Sequence, residues 1–252
     1  MTESTRYRCQ VVADPAALAE VAAERVVTLA AAACADHDRF YIALAGGSTP
    51  RALYARLAEA DIAARIDWSR WQVFFGDERC VPPDDAQSNY HMAREALLAH
   101  VPIAPAKVHR IEAELDDPAA AAARYARELE HLPRDVDGWP RFDLVLLGMG
   151  DDGHTASLFP DTAILGEHTL PVAAVYVEKL AAWRISLTLP VLDAAANVLL
   201  LVAGSAKRAV LHEVMQAPAP LAQYPVSWLM PRPGLEWLVD TAAAADLDPG
   251  LG

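Results

Sequence analysis

A chain of 252 residues, 54% hydrophobic and 22% charged, has the balance of a globular protein and the length to bury a sizeable core. Its 21 Lys and Arg against 34 Asp and Glu leave a formal net charge of -13. This excludes a nucleic-acid or anionic-membrane partner as the working model, because a polyanion is not drawn to a chain of its own sign without a dense basic patch, and none occurs. No window approaches the ~18 apolar residues of a membrane span. The opening residues lack the basic start and apolar run of a signal peptide, so the expected location is cytoplasmic.

In chain order, Asp14-Pro15 opens a first alanine-rich helix, with Asp14 as cap and proline at the first helical position. Residues 40–45 form a short apolar run, and Thr49-Pro50 opens the next helix in the same way. Residues 71–75 give a second apolar run, a helix is expected after Ser88-Asn89-Tyr90, and Asp117-Pro118 opens a third capped helix. Further strand-like runs cover 142–147, 172–177, 184–189, 198–203 and 235–239. Strands apolar on both faces alternating with helices predict an α/β fold, a doubly wound and mostly parallel sheet with helices on both faces. The Pro-rich stretch 217–233 is the best candidate boundary, yet the strand after it returns to the same sheet. Residues 1–252 are therefore expected to be one domain.

Ligands of such folds bind beyond the carboxyl ends of the strands, and three polar clusters stand there. The first is Gly46-Gly47-Ser48-Thr49 after the run 40–45. Two glycines leave backbone N–H groups uncovered, and the helix N-terminus adds about half a positive charge, so an anion such as phosphate fits. The bland alternative is a tight turn with Thr49 as cap. The second is Gly76-Asp77-Glu78-Arg79, where Arg79 can fix an oxyanion in fork geometry or simply pair with its acidic neighbours. The third is Gly148-Met149-Gly150-Asp151-Asp152-Gly153-His154. Its G-x-G-x-x-G spacing suggests a dinucleotide, with Glu178 near the place of a ribose-binding acid, but Pro160 leaves no room for the helix that this fingerprint requires.

His154 sits in a Gly-rich loop at a strand end, and an unperturbed pKa near ~6.5 makes it a candidate general base. Asp151 or Asp152 could orient it, or both could be turn formers. The remaining histidines are scattered without ligand-like spacing, Cys9, Cys34 and Cys80 form no CxxC pair, and Asp135-Val136-Asp137-Gly138 lacks the full ligand series of a calcium loop, so no metal is expected. No G-x-S-x-G elbow occurs, and Ser48 and Ser157 have no evident base partner. Water is the expected nucleophile.

Together, LAGGSTP at 44–50, FFGDERCVPPDDAQSNY at 74–90, LGMGDDGHTASLFP at 147–160, WRISLTLPVLDAA at 183–195 and VAGSAKRAVL at 202–211 resemble the 6-phosphogluconolactonase family, which shares its fold with the glucosamine-6-phosphate deaminases. The resemblance implies hydrolysis of 6-phospho-D-glucono-1,5-lactone to 6-phosphogluconate, without a cofactor, the phosphorylated sugar lactone being the partner. It implies His154 as the catalytic histidine, with Asp77 and Arg79 in the polar active-site segment. It also implies Gly46, Gly47, Ser48 and Thr49 as the phosphate loop, with Arg184 and Lys207 as basic phosphate contacts. The deaminases typically carry a glutamate in a GHIAFNEP-like run, where this chain has GHTASLFP, with Leu158 and Phe159 in its place. A sugar-phosphate sensor without catalysis is the other alternative. Asp161 stands after Pro160, where the family commonly has glycine.

Overall fold

The strands are β1 (Tyr7–Val12), β2 (Phe40–Leu44), β3 (Trp71–Phe75), β4 (Asp77–Arg79), β5 (Leu144–Gly148), β6 (Val172–Val177), β7 (Ala182–Leu187), β8 (Asn197–Val202) and β9 (Leu235–Asp240). They are seen in a computed structural model that describes residues 7–216, 223–230 and 232–247. Six of them form one sheet in the order β1-β9-β8-β5-β2-β3, and every neighbouring pair is parallel. All five residues of β2 are buried, which is the mark of a strand covered on both faces.

Helices supply that cover: α1 (Pro15–His37), α2 (Ser48–Ala58), α3 (Ala60–Ala63), α4 (Asn89–Ala93), α5 (Pro118–Glu128), α6 (Leu189–Ala194) and α7 (Arg208–Gln216). Two starts follow their sequence signals, with Asp14 accepting from the Ala17 amide at 2.8 Å and Asp117 from the Ala119 amide at 2.9 Å. The third does not. Thr49 is no cap: α2 begins at Ser48 and its cap is Gly47, held at φ 103. That left-handed backbone is open to glycine and strained for other residues, so the helix starts earlier than a Thr-Pro signal indicates.

Two of the expected strands do not join the parallel sheet. β6 and β7 pair antiparallel, and β7 pairs antiparallel with β4, giving a second sheet in the order β4-β7-β6. The physical reason is the link between them, a 3-10 turn at Glu178–Leu180 followed by Ala181, which is far shorter than a parallel crossover requires. β1 is a further departure, since nothing in the sequence reading marks it. β9 does return to the main sheet, between β1 and β8. Of the Pro-rich stretch, residues 217–222 and 231 lie outside the described residues, while Pro225, Val226, Ser227 and Leu229 are buried against the body of the fold.

The topology fixes where a ligand can enter. From β2 the chain crosses to β3 on one side, and from β5 it passes through the second sheet and α6 to β8 on the other. β2 and β5 are neighbours, so a crevice opens between their carboxyl ends.

Candidate active site

A cavity of about 350 Å³ occupies that crevice, and its walls include Gly46, Gly47, Asp77, Arg79, His154, Arg184 and Lys207. Residues on or just after five strands, β2, β4, β5, β7 and β8, thus converge on one space, although they lie far apart in sequence. Ser48 and Thr49 do not line it; they form the first helical turn of α2 behind the two glycines. Gly46 is there because nothing larger fits: a Cβ would stand 2.0 Å from Asn89 Oδ1.

His154 lies on the loop after β5. The Gly150 amide donates to the His154 carbonyl at 2.8 Å, and Thr155 Oγ1 donates to the Gly148 carbonyl at 2.8 Å, so the loop closes on its own strand. His154 Nδ1 lies 2.5 Å from Asp152 Oδ1. A carboxylate only accepts, so Nδ1 carries the proton and the lone pair is left on Nε2. The ring stacks on Phe159 with centroids 4.0 Å apart. Burial pushes the imidazole down to about 4; Lys207 and Arg184 act in the same direction, while Asp77 and Asp151 oppose them. His154 is therefore neutral at neutral pH and ready to accept a proton. No dinucleotide-type helix follows the loop.

Asp77, only 8% exposed, is held from two sides. Ser157 Oγ donates to its Oδ2 at 2.7 Å, and Asn89 Nδ2 donates to its Oδ1 at 3.1 Å and to its carbonyl at 2.9 Å. Its neighbour Glu78 does a different job. That buried carboxylate accepts from the amides of Arg79, Asn89 and Tyr90 and from Ser88 Oγ, tying the start of α4 to β4. Burial raises its pKa, and those backbone donors pull it back.

Among the described residues four cations line the cavity: Arg79, Lys179, Arg184 and Lys207. Arg79 and Arg184 are register partners across β4 and β7, and each has a buried Nε without a hydrogen-bond partner. Burial, then the charge of Arg79, lowers the pKa of Arg184. Two adjacent guanidiniums with donors to spare form a receptor for an oxyanion. Lys207 ends a 3-10 turn whose cap, Gly204, sits at φ 92, and the Gly204 amide is held by both carboxylate oxygens of buried Asp240 at 3.0 Å.

The cavity also takes residues that the sequence reading did not assign. Lys179, in the turn between β6 and β7, lines it and bonds Asp152 Oδ2, while Asn89 and Ser157 border it beside Asp77. Asn89 and Ser157 lie within the runs 74–90 and 147–160 that carry the family resemblance, whereas Lys179 lies in none of them. Asp135 spends its carboxylate on the amides of Asp137 and Trp139, an Asx turn and not a calcium loop. Among the described residues no group of three or more His, Cys, Asp or Glu could hold a metal ion.

A sequence model described as glucosamine-6-phosphate isomerases/6-phosphogluconolactonase matches residues 13–237. The chain is 39% identical over 239 residues to a 6-phosphogluconolactonase of Nostoc sp., covering 94% of this chain and 97% of that protein. It is 38% identical over 245 residues to one of Streptomyces coelicolor, covering 94% of each. The solved 6-phosphogluconolactonase of Trypanosoma brucei superposes with a TM-score of 0.85 at 30% identity, over 97% of this chain and 100% of that one. A monomeric glucosamine-6-phosphate deaminase superposes at TM-score 0.81 with 17% identity, a likeness of fold alone.

Proposed function

The chain belongs to the glucosamine-6-phosphate isomerase/6-phosphogluconolactonase family, and from that premise we propose that it hydrolyses 6-phospho-D-glucono-1,5-lactone to 6-phosphogluconate, the second step of the oxidative pentose phosphate pathway. The observation that carries this reading is a neutral imidazole, fixed through Nδ1 by Asp152, in the same cavity as Arg79, Arg184 and Lys207. A lactone carbonyl is already electrophilic, so the reaction needs a held phosphate, a base for water and donors for the oxyanion.

In this mechanism His154 Nε2 takes a proton from water as the water oxygen bonds to C1. Asp152 steadies the imidazolium that forms. The tetrahedral oxyanion is met by Arg79 or by the glycine-flanked amides. Its collapse breaks the bond between C1 and the ring oxygen, and the imidazolium returns its proton to that oxygen. Arg184, Lys207, Gly46 and Gly47 bind the phosphate, aided by the N-terminus of α2, where Ser48 and Thr49 contribute backbone rather than cavity wall. Asp77 orients the sugar from its fixed position between Asn89 and Ser157. The steps use water, one base and fixed cations, and no cofactor enters them. We place the enzyme in the cytoplasm, acting as one domain over residues 1–252. No described helix is long and apolar enough to cross a membrane.

Deaminase chemistry is disfavoured at the same loop. Leu158 is fully buried, and Phe159 is stacked on the His154 ring, so no acid stands where ring opening and amine chemistry need one. A sensor without catalysis is disfavoured by the intact Asp152–His154 pair. Freshly generated 6-phosphogluconolactone, assayed against its spontaneous hydrolysis, tests the proposal. Accelerated loss of lactone supports it; binding of 6-phosphogluconate without turnover would establish a sensor instead.

A further inference from the structure

The β6–β7 turn borders the cavity and brings a half-exposed Lys179 onto Asp152, the carboxylate that holds the base. Lys179 Nζ bonds Asp152 Oδ2, while the other oxygen of that carboxylate holds His154 Nδ1 at 2.5 Å. The same ammonium stands 5.2 Å from the centroid of Phe159, the ring stacked on His154. Four side chains thus close a ring of contacts, and Ala181, at φ 47, turns the chain directly after the lysine's segment.

We propose that Lys179 is a positioning residue that acts on His154 through Asp152: it fixes the carboxylate's orientation and limits how strongly that carboxylate draws a proton onto the imidazole. An isolated lysine–carboxylate pair with a half-exposed lysine contributes little to stability. Here the carboxylate is shared, and the distribution of its charge decides the proton affinity of the base. With Lys179 present, Asp152 answers to two cations once the imidazolium forms; without it, the full carboxylate charge faces the ring.

The other charged groups around His154 come from several elements. Asp151 shares its loop, Asp77 projects from β4, Arg184 from β7, and Lys207 follows β8. Tyr224 packs on Gly153 beside it, with its hydroxyl donating to Glu213. None of these is the hydrogen-bond partner of Asp152 Oδ2. Among the described residues Lys179 has that place.

The test rests on the lactonase reading for its kinetic arm alone. In Lys179→Met the His154 pKa, followed by NMR titration of the ring in the free protein, should rise by about one unit, the scale of one nearby charge. The acid limb of kcat/KM should move by the same amount. At neutral pH kcat should fall several-fold while KM changes by less than about twofold, the signature of a lost positioning contact. Lys179→Arg should restore both the limb and the rate. In an Asp152→Asn background, Lys179→Met should no longer shift the titration. An unmoved His154 titration in Lys179→Met would overturn the proposal. So would a raised KM with an unmoved acid limb, which would make Lys179 a substrate contact. If the wild type itself fails to hydrolyse the lactone, the lactonase reading falls, and the NMR titration still decides the role of Lys179.

Discussion

The two sheets deliver opposite kinds of group to the same cavity. The parallel sheet ends in glycine loops: β2 runs into Gly46-Gly47, and β5 into the loop that carries Asp152 and His154. The antiparallel sheet brings charge: Asp77 and Arg79 from β4, Arg184 from β7, and Lys179 from the turn after β6. Strands buried on both faces hold a base and its carboxylate in one geometry, which suits bond making. A half-exposed hairpin arranges cations by register, which suits capture of an anion. The division has two crossings: Gly46, Gly47 and Lys207 stand on the parallel side but serve the phosphate, and Lys179 stands on the hairpin but bonds Asp152.

His154→Asn attacks the reacting side alone. The protein should fold and bind 6-phosphogluconate, while turnover falls ~100- to 10,000-fold, the usual cost of a lost general base. Steady-state kinetics with calorimetric product binding checks this, and near-wild-type turnover would remove His154 from the mechanism.

Gly150→Ala damages the same side without touching a functional group. A Cβ there would stand 2.0 Å from His154 Nδ1 and 2.6 Å from Asp152 Oδ1, so the pair must move. A displacement of that size costs turnover on the order of 100-fold. Retained activity would mean that the base tolerates another placement.

Lys207→Ala tests recognition. Loss of a charged hydrogen bond of about 1.5–3 kcal/mol should lower kcat/KM roughly ten- to a hundredfold for the phosphorylated lactone. Hydrolysis of unphosphorylated gluconolactone should hardly change, because it has no phosphate to lose. Equal losses on both substrates, with the fold intact by circular dichroism, would transfer Lys207 to the reacting side.

The smallest expected effect is one of pH. Burial lowers the His154 pKa to about 4, and the base works only when neutral. Activity should therefore survive acidification through the ordinary histidine value near ~6.5 and fall only as the pH approaches 4. An acid limb centred at the ordinary value, after correction for unfolding, would contradict the buried, neutral imidazole.

The same division explains what could be read from sequence. β2 is apolar along its whole length, and its place and that of β3 can be read directly, as can Asp14 and Asp117 at their helix starts. β6 and β7 were detectable as strands but not as partners. Tyr176 and Trp183 face each other across the hairpin, 44% and 45% exposed, whereas apolar residues in a run suggest burial. The short spacing between the two runs was the available clue to antiparallel pairing. β1 escaped notice because Arg8 and Val11 are exposed on an edge strand. In the site, His154, Asp77 and the glycines carry local motifs. Lys179 lies in no motif, and Ser157 lies in one that does not show its partner; they reach Asp152 and Asp77 only through the tertiary fold.

Arg79 and Arg184 face each other in register, each with an unused buried donor. The fold therefore holds two like charges together, and an anion that neutralises them binds the folded chain and not the unfolded one. At a hundred times its dissociation constant such a ligand adds about 2.7 kcal/mol to the unfolding free energy. The melting temperature of this protein should then report the concentration of its own product, and a thermal shift titrated with 6-phosphogluconate measures it. In a cell, the lifetime of the chain against proteolysis would follow the supply of sugar phosphate.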